Sequence, residues 1–169
     1  MPFITFEEQP DVHTYAQLYQ RVLELIVPYT HGNHAVTTVF GPMGANILGT
    51  EEENMRIIER AGMYVSRQGY FVFCLSGLQA TIDSLREILR ERSSPQMVLD
   101  ELTLPLIASG ILTTPHFLTT YPHGRGAHIE YMHACRYYSS GRIRLIDPRT
   151  LSDPQTQKHG VAFAEAQFA

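Results

Sequence analysis

The sequence predicts an α/β fold in which a parallel sheet of about four to five strands is covered by helices on both faces. Three observations carry this reading. The runs at 35–40 and 70–75 are apolar and rich in β-branched or aromatic residues without strict alternation, as expected of strands buried on both sides. Between such runs lie segments with apolar residues at helical spacing. Gly- and Pro-containing stretches follow the first and third predicted strands. Strands separated by helices imply parallel pairing through right-handed crossovers.

The first predicted element is a helix from about 13 to 29, where Leu18, Val22, Leu25, Ile26 and Tyr29 recur on one face. Asp11 or Thr14 can cap it, Pro28 falls near its end, and His31-Gly32-Asn33 stops it. A strand at 35–40 follows. Residues 41–50, with three Gly, one Pro and one Asn, form a loop. A helix at 51–68 turns Met55, Ile58, Gly62 and Val65 inward, and Glu51, Glu52 and Glu53 complement its dipole. A second strand spans 70–75. A helix at 78–92 places Ile82, Leu85, Ile88 and Leu89 on one face and mixes Arg86, Arg90 and Arg92 with Glu87 and Glu91, as a solvated face does. Ser93-Ser94-Pro95 ends it, and 97–108 reads as another helix that Pro105 kinks or restarts. A third strand at 111–121, a helix at 127–138 and a fourth strand at 143–146 complete the pattern. The chain reads as one domain over 1–169, with an N-terminal helical extension (about 1–33) and a C-terminal tail (about 148–169).

A chain of 169 residues that is 44% hydrophobic can bury one proper core. Its formal net charge of -4 argues against a binder of nucleic-acid polymers, which shows a basic face. No run of 18 apolar residues predicts a membrane span, and the first residues lack the pattern of a signal peptide, so a cytoplasmic protein is expected. Cys74 and Cys135 read as buried thiols in a reducing compartment, with a disulfide between them as the lesser alternative.

Two loops hold the candidate chemistry. Gly41-Pro42-Met43 follows the first strand, and Gly124-Arg125-Gly126-Ala127-His128-Ile129-Glu130 opens the late helix. Both fall at carboxyl ends of parallel strands, where such folds bind ligands, so they are expected to share a cleft. Free amides and the dipole at a helix start suit an anionic or sugar ligand. Glu130 lies one turn in, able to reach back over the loop. The alternative is that Glu130 is only an acid favoured by the dipole. Arg125 could pair with a phosphate bidentately or be an exposed loop cation.

Taken in this order, these elements resemble the nucleoside 2-deoxyribosyltransferase-like superfamily over roughly 36–147. Gly41-Pro42-Met43 matches the Gly-Pro element after that family's first strand, and 124–130 matches the Gly-containing element that ends in a glutamate. The resemblance implies a flavodoxin-like or Rossmann-like three-layer sandwich without a cofactor. It implies cleavage or transfer of the N-glycosidic bond of a nucleoside or nucleotide, with Glu130 as nucleophile. Phe40, Gly41, Pro42, Met43, Gly124, Arg125, Gly126 and Ala127 would bind substrate. It further implies a homodimer or higher homo-oligomer, and Tyr131, Tyr137, Tyr138 and the apolar Val161-Ala-Phe-Ala stretch are expected at that contact. The sequence departs from the family in one respect: no aspartate lies in 111–118, where a proton-handling acid is expected. Asp100 and Glu101 are nearest, and His116 or His123 could substitute. Asp100 and His123 therefore join Glu130 as catalytic candidates. The gap leaves a non-catalytic nucleotide-binding or sensing domain as the alternative.

Other residues weigh less. Asp83 could face the cleft or be an early helix acid. His128 and His133, five apart, do not share a helical face, and His31 with His34 lacks further ligands, so no metal site is expected. Cys74, in an apolar strand, is no nucleophile. The chain has no phosphate-binding lysine loop, dinucleotide glycine fingerprint or nucleophile-elbow serine.

Overall fold

The computed structural model describes residues 3–90 and 94–151. Its centre is the segment 36–40, which carries strands β2 (Val36–Thr37) and β3 (Val39–Phe40) on either side of Thr38. Strand β4 (Phe71–Phe73) pairs with β2, and β1 (Phe3–Ile4) pairs with the outer edge of β4. On the opposite side β5 (His116–Leu118) pairs with β3, and β6 (Arg144–Ile146) pairs with β5. All of these pairings are parallel. The result is two three-stranded sheets, β1-β4-β2 and β3-β5-β6, joined through one stretch of chain. Thr38 ties them together: its hydroxyl donates to the Phe73 carbonyl, and its own carbonyl accepts from the His116 amide at 3.1 Å.

The helices follow from this order. Helix α1 (Tyr15–His31) buries Tyr15, Leu18, Val22 and Ile26, and the Thr14 side chain caps it. Asp11 instead pairs with Arg21 at 3.0 Å. Helix α2 (Glu51–Arg67) leads from β3 toward β4, whereas α6 (Arg125–Tyr137) leads from β5 toward β6. Crossovers of the same hand that run in opposite directions lie on opposite faces of a sheet. Accordingly Ile58, Ala61 and Val65 of α2 pack on Val39, Val72, Leu118 and Ile146. The other face, with Phe40, Phe73 and Phe117, is covered by α1, α3 (Gln79–Leu89), α5 (Leu104–Ala108) and residues of α6. These are the three expected layers.

Several expected boundaries change. The N-terminal extension is not purely helical, because Phe3–Ile4 adds an edge strand. The third strand shrinks to His116–Leu118, and 111–115 runs as a loop whose Thr113 amide still donates to the Val36 carbonyl at 2.8 Å. The helix expected from 78 starts as a tight turn at Leu75–Leu78 before α3. The stretch around Pro105 begins with α4 (Pro95–Val98), capped by Ser94, and passes through a π-helical turn, Leu99–Thr103, into α5. Proline lacks the amide an α-helix needs and its ring crowds the preceding turn, so a wider turn just upstream is the physical accommodation. The acids of α2 do more than face the dipole: Thr50 and Glu53 form a reciprocal capping box. Residues 152–169, including Val161-Ala-Phe-Ala, lie outside the described residues, as do Glu91, Arg92 and Ser93.

Candidate functional site at the carboxyl end of the sheet

From the 36–40 segment the chain moves outward to β4, then crosses back to β5 on the other side. The two carboxyl ends at this reversal, those of β3 and β5, flank the natural ligand crevice of an open α/β sheet. Gly41 and Pro42 leave β3 there, and a tight turn at Tyr121–His123 leads from β5 into α6. The two loops touch. A Cβ added to Gly124 would sit 2.9 Å from the Cβ of Pro42 and 3.0 Å from its Cα. One added to Gly41 would meet the Leu118 Cδ1 at 2.7 Å. Glycine at 124 lets that backbone approach Pro42, and glycine at 41 leaves room for the Leu118 side chain.

Aromatic contacts fix the floor. Phe40 stacks on Phe117 at 4.9 Å, and Phe117 meets the edge of Tyr131 at 5.3 Å. Tyr131 stacks face to face with Tyr121 at 4.0 Å, and the His128 ring lies near-parallel to Tyr121 at 6.0 Å. Phe40, Gly41 and Pro42 are buried, and Met43 is half-buried. Asn54 holds the loop beyond them by donating to the Gly44 carbonyl at 2.8 Å. Gly124 is the N-cap of α6 and no side chain caps that end, so the first-turn amides keep their capacity to bind an acceptor.

Glu130 lies in the second turn of α6, on the same buried face as Ala127 and Ala134. The residue is only 7% exposed. Burial disfavours its charged form and pushes the carboxyl up to about 7, against a weaker downward pull from the Thr103 hydroxyl. Thr103 Oγ1 is itself buried and completes no hydrogen bond of ordinary geometry. The site thus pairs a buried carboxyl with a buried hydroxyl that has no other partner. Groups with such perturbed proton affinity concentrate in functional sites.

The remaining candidates separate. Gly124 and Ala127 lie at the start of α6, with Ala127 buried, while Arg125, His123 and His128 are exposed around the same end. Gly126 faces Leu99 of the π turn, with room for a Cβ at 3.7 Å. Asp100 and Glu101 point to solvent, and Asp100 accepts from the Gln96 side chain at 2.8 Å, so neither stands beside Glu130. His116 is excluded by position: it opens β5, at the opposite end of the strand from the loops. Its Nδ1 lies 2.9 Å from the Thr114 carbonyl and 2.8 Å from Thr37 Oγ1, with Tyr70 edge-on to the ring. Burial first, and Arg144 among smaller contributions, holds its pKa down at about 4. Asp83 is exposed and binds Gln79 and Arg86. Cys135 is exposed, contrary to the expectation of a buried thiol, whereas Cys74 is half-buried with its pKa pushed up to about 11. Both thiols are free. Tyr138 is core and Tyr137 is exposed.

Among the described residues no group of three potential ligands could hold a metal, and no helix is long and apolar enough to cross a membrane. Thr103 and Asn54 are the site residues that sequence reading misses. The signal for Thr103 was slight: an irregular turn ahead of Pro105. Comparison of the chain with family models, curated proteins and solved structures finds no match to any of them.

Proposed function

We propose that the carboxyl-end crevice binds a nucleoside or nucleotide and that Glu130 acts on its N-glycosidic bond. The observation that carries this reading is the burial of the Glu130 carboxyl one turn behind an uncapped helix start, at the point where the strand order reverses. A charged carboxyl costs stability at such a place, and the Thr103 hydroxyl pulls only weakly against that cost. In the proposed reaction a Glu130 carboxylate oxygen bonds to C1′ as the C1′–N bond breaks, and the base leaves with the electron pair and takes a proton from water. Water then attacks C1′ and releases the sugar, or a second base attacks and leaves as a new nucleoside. In either case the C1′–O bond to Glu130 breaks, the carboxylate is restored and the attacker's proton neutralises the hydroxide left by the first step. Arg125, exposed beside the helix start, would meet a 5′-phosphate.

A second reading has its own support. Asp100 and Glu101 face solvent, so neither is the acid the leaving base would use. A binding or sensing domain, with Glu130 accepting from ribose hydroxyls, needs no such acid. Free-base release from a panel of nucleosides and 5′-nucleotides decides between them. Turnover that disappears in Glu130→Gln supports the enzyme. Saturable binding without base release supports the sensor, and neither result in any panel member would remove both readings.

A further inference from the structure

Helices α4 and α5, with the π turn between them, turn Leu99, Leu102, Thr103, Leu106 and Ile107 inward. Thr103 is the polar member of an otherwise apolar stripe and is 6% exposed. A helical threonine ordinarily bonds its hydroxyl to the carbonyl four residues back. Here that carbonyl belongs to Leu99, which in the wide turn accepts from the Leu104 amide. The Thr103 hydroxyl completes no bond of its own. Across the interface Leu99 lies against Gly126 and Thr103 against Glu130, four residues further along both segments.

We propose that Thr103 is a positioning residue of this site, whose hydroxyl donates to the Glu130 carboxylate when that group ionises. The proposal rests on the reading of Glu130 as the working carboxylate and names the group that holds it. With a protonated Glu130 the hydroxyl has only a neutral partner, and any bond between them is weak. Once Glu130 loses its proton, the hydroxyl becomes a charge-assisted donor to a carboxylate otherwise shut away from water. The other titratable groups on the packed elements do not take this role. Asp100 and Glu101 of the π turn and His123 of the preceding turn are exposed, and Tyr121 and Tyr131 are engaged with each other.

The test is a carboxyl-carbon NMR titration of Glu130 in the free protein, with the resonance assigned by its absence in Glu130→Gln. Thr103→Val keeps the shape and removes the hydroxyl, and it should raise the Glu130 midpoint by about one pH unit, since a hydrogen bond to a charged group is worth on the order of a tenfold change in its ionisation. Thr103→Ser should restore the midpoint to within a few tenths. Should Thr103→Val not fold, Thr103→Ala removes the same hydroxyl and is read in the same way. If the hydroxyl-free variant titrates like the natural protein, or Ser fails to restore the midpoint, the proposal is overturned. In a base-release assay the ascending limb should move upward with the midpoint and cost roughly tenfold in kcat/KM at pH 6. Absence of base release in the natural protein would sink the glycosidic reading, and the titration would still decide the role of Thr103.

Discussion

Two buried polar clusters, one toward each end of the sheet, are held in opposite ways. At the amino end, Thr37, Thr38 and His116 are all buried, and each is paired: Thr37 with the Thr114 carbonyl and His116, Thr38 with Phe73, His116 with Thr37 and Thr114. These bonds lace the central segment to its neighbours, and the histidine is kept neutral. At the carboxyl end Glu130 and Thr103 are just as buried, yet the hydroxyl completes no bond and the carboxyl is pushed toward neutrality. Buried polar groups are normally satisfied, and an exception calls for an explanation. The contrast separates polar groups bonded across the sheet from a buried pair without such bonds. A groove of about 680 Å³ also opens at the amino end, lined by Leu23, Val27, His34, Ile111, Thr113 and Arg142. It contains no buried titratable group.

The largest expected effect breaks the carboxyl end. Glu130→Gln should lower base release by about a thousandfold or more, because the amide cannot serve as nucleophile. The fold should survive, and circular dichroism checks this. Retained turnover would return Glu130 to a structural part.

The two ends should also respond oppositely to pH. Because the folded state lowers the His116 pKa, the unfolded chain binds the extra proton between about pH 6.5 and 4. Stability from His116 is therefore full above the ordinary histidine value and lost as pH falls through that window. Glu130 runs the other way: its raised pKa means the folded state holds the proton, so its contribution is full near pH 4.5 and lost as pH rises to about 7. Each amounts to roughly 3 kcal/mol at most. Denaturant unfolding of His116→Asn and Glu130→Gln against the natural protein should show difference slopes of opposite sign. Slopes of the same sign would contradict the contrast.

Next comes the close approach of the loops. Gly124 has φ -117 and ψ 123, which any residue can adopt, so an alanine there meets no backbone strain but does meet Pro42. Gly124→Ala should cost about 1–3 kcal/mol by overpacking. Gly44→Ala, where an added Cβ has nothing within 4 Å, should change stability by less than about 0.5 kcal/mol. Equal costs in thermal unfolding would mean the loops are not held in contact. The smallest effect concerns Arg125: its replacement by Ala should weaken nucleotide binding about tenfold and leave nucleoside binding unchanged, measured by calorimetry.

Much of this was legible in the chain. Apolar runs such as Phe71–Phe73 and the periodicity of α2 carry the α/β pattern because burial on both faces leaves no room for alternation. Gly41 and Gly124 could be singled out because strand ends with Gly-rich exits mark where ligands enter such folds. Their mutual contact through Pro42 could not be, since it depends on how β3 and β5 pair. Strand β1 was missed because two residues, Phe3 and Ile4, carry no period. His116 looked like a candidate acid or base by its distance from Glu130 in sequence, but the strand between it and the loop puts it at the wrong end. Thr103 carried only a slight signal, for a different reason. Its inward position fits a helix, and that its hydroxyl lacks a partner emerges only from the folded packing.

Amide chemical-shift mapping with a 5′-nucleotide and the matching nucleoside tests the contrast between the two ends most directly. The account predicts saturable shifts at Gly41, Met43, Gly124, Arg125 and Gly126, with the Glu130 carboxyl responding, and none along Thr37, Thr38 and His116. Shifts confined to the amino-end groove, or no saturable shift with any nucleoside or nucleotide, would contradict it.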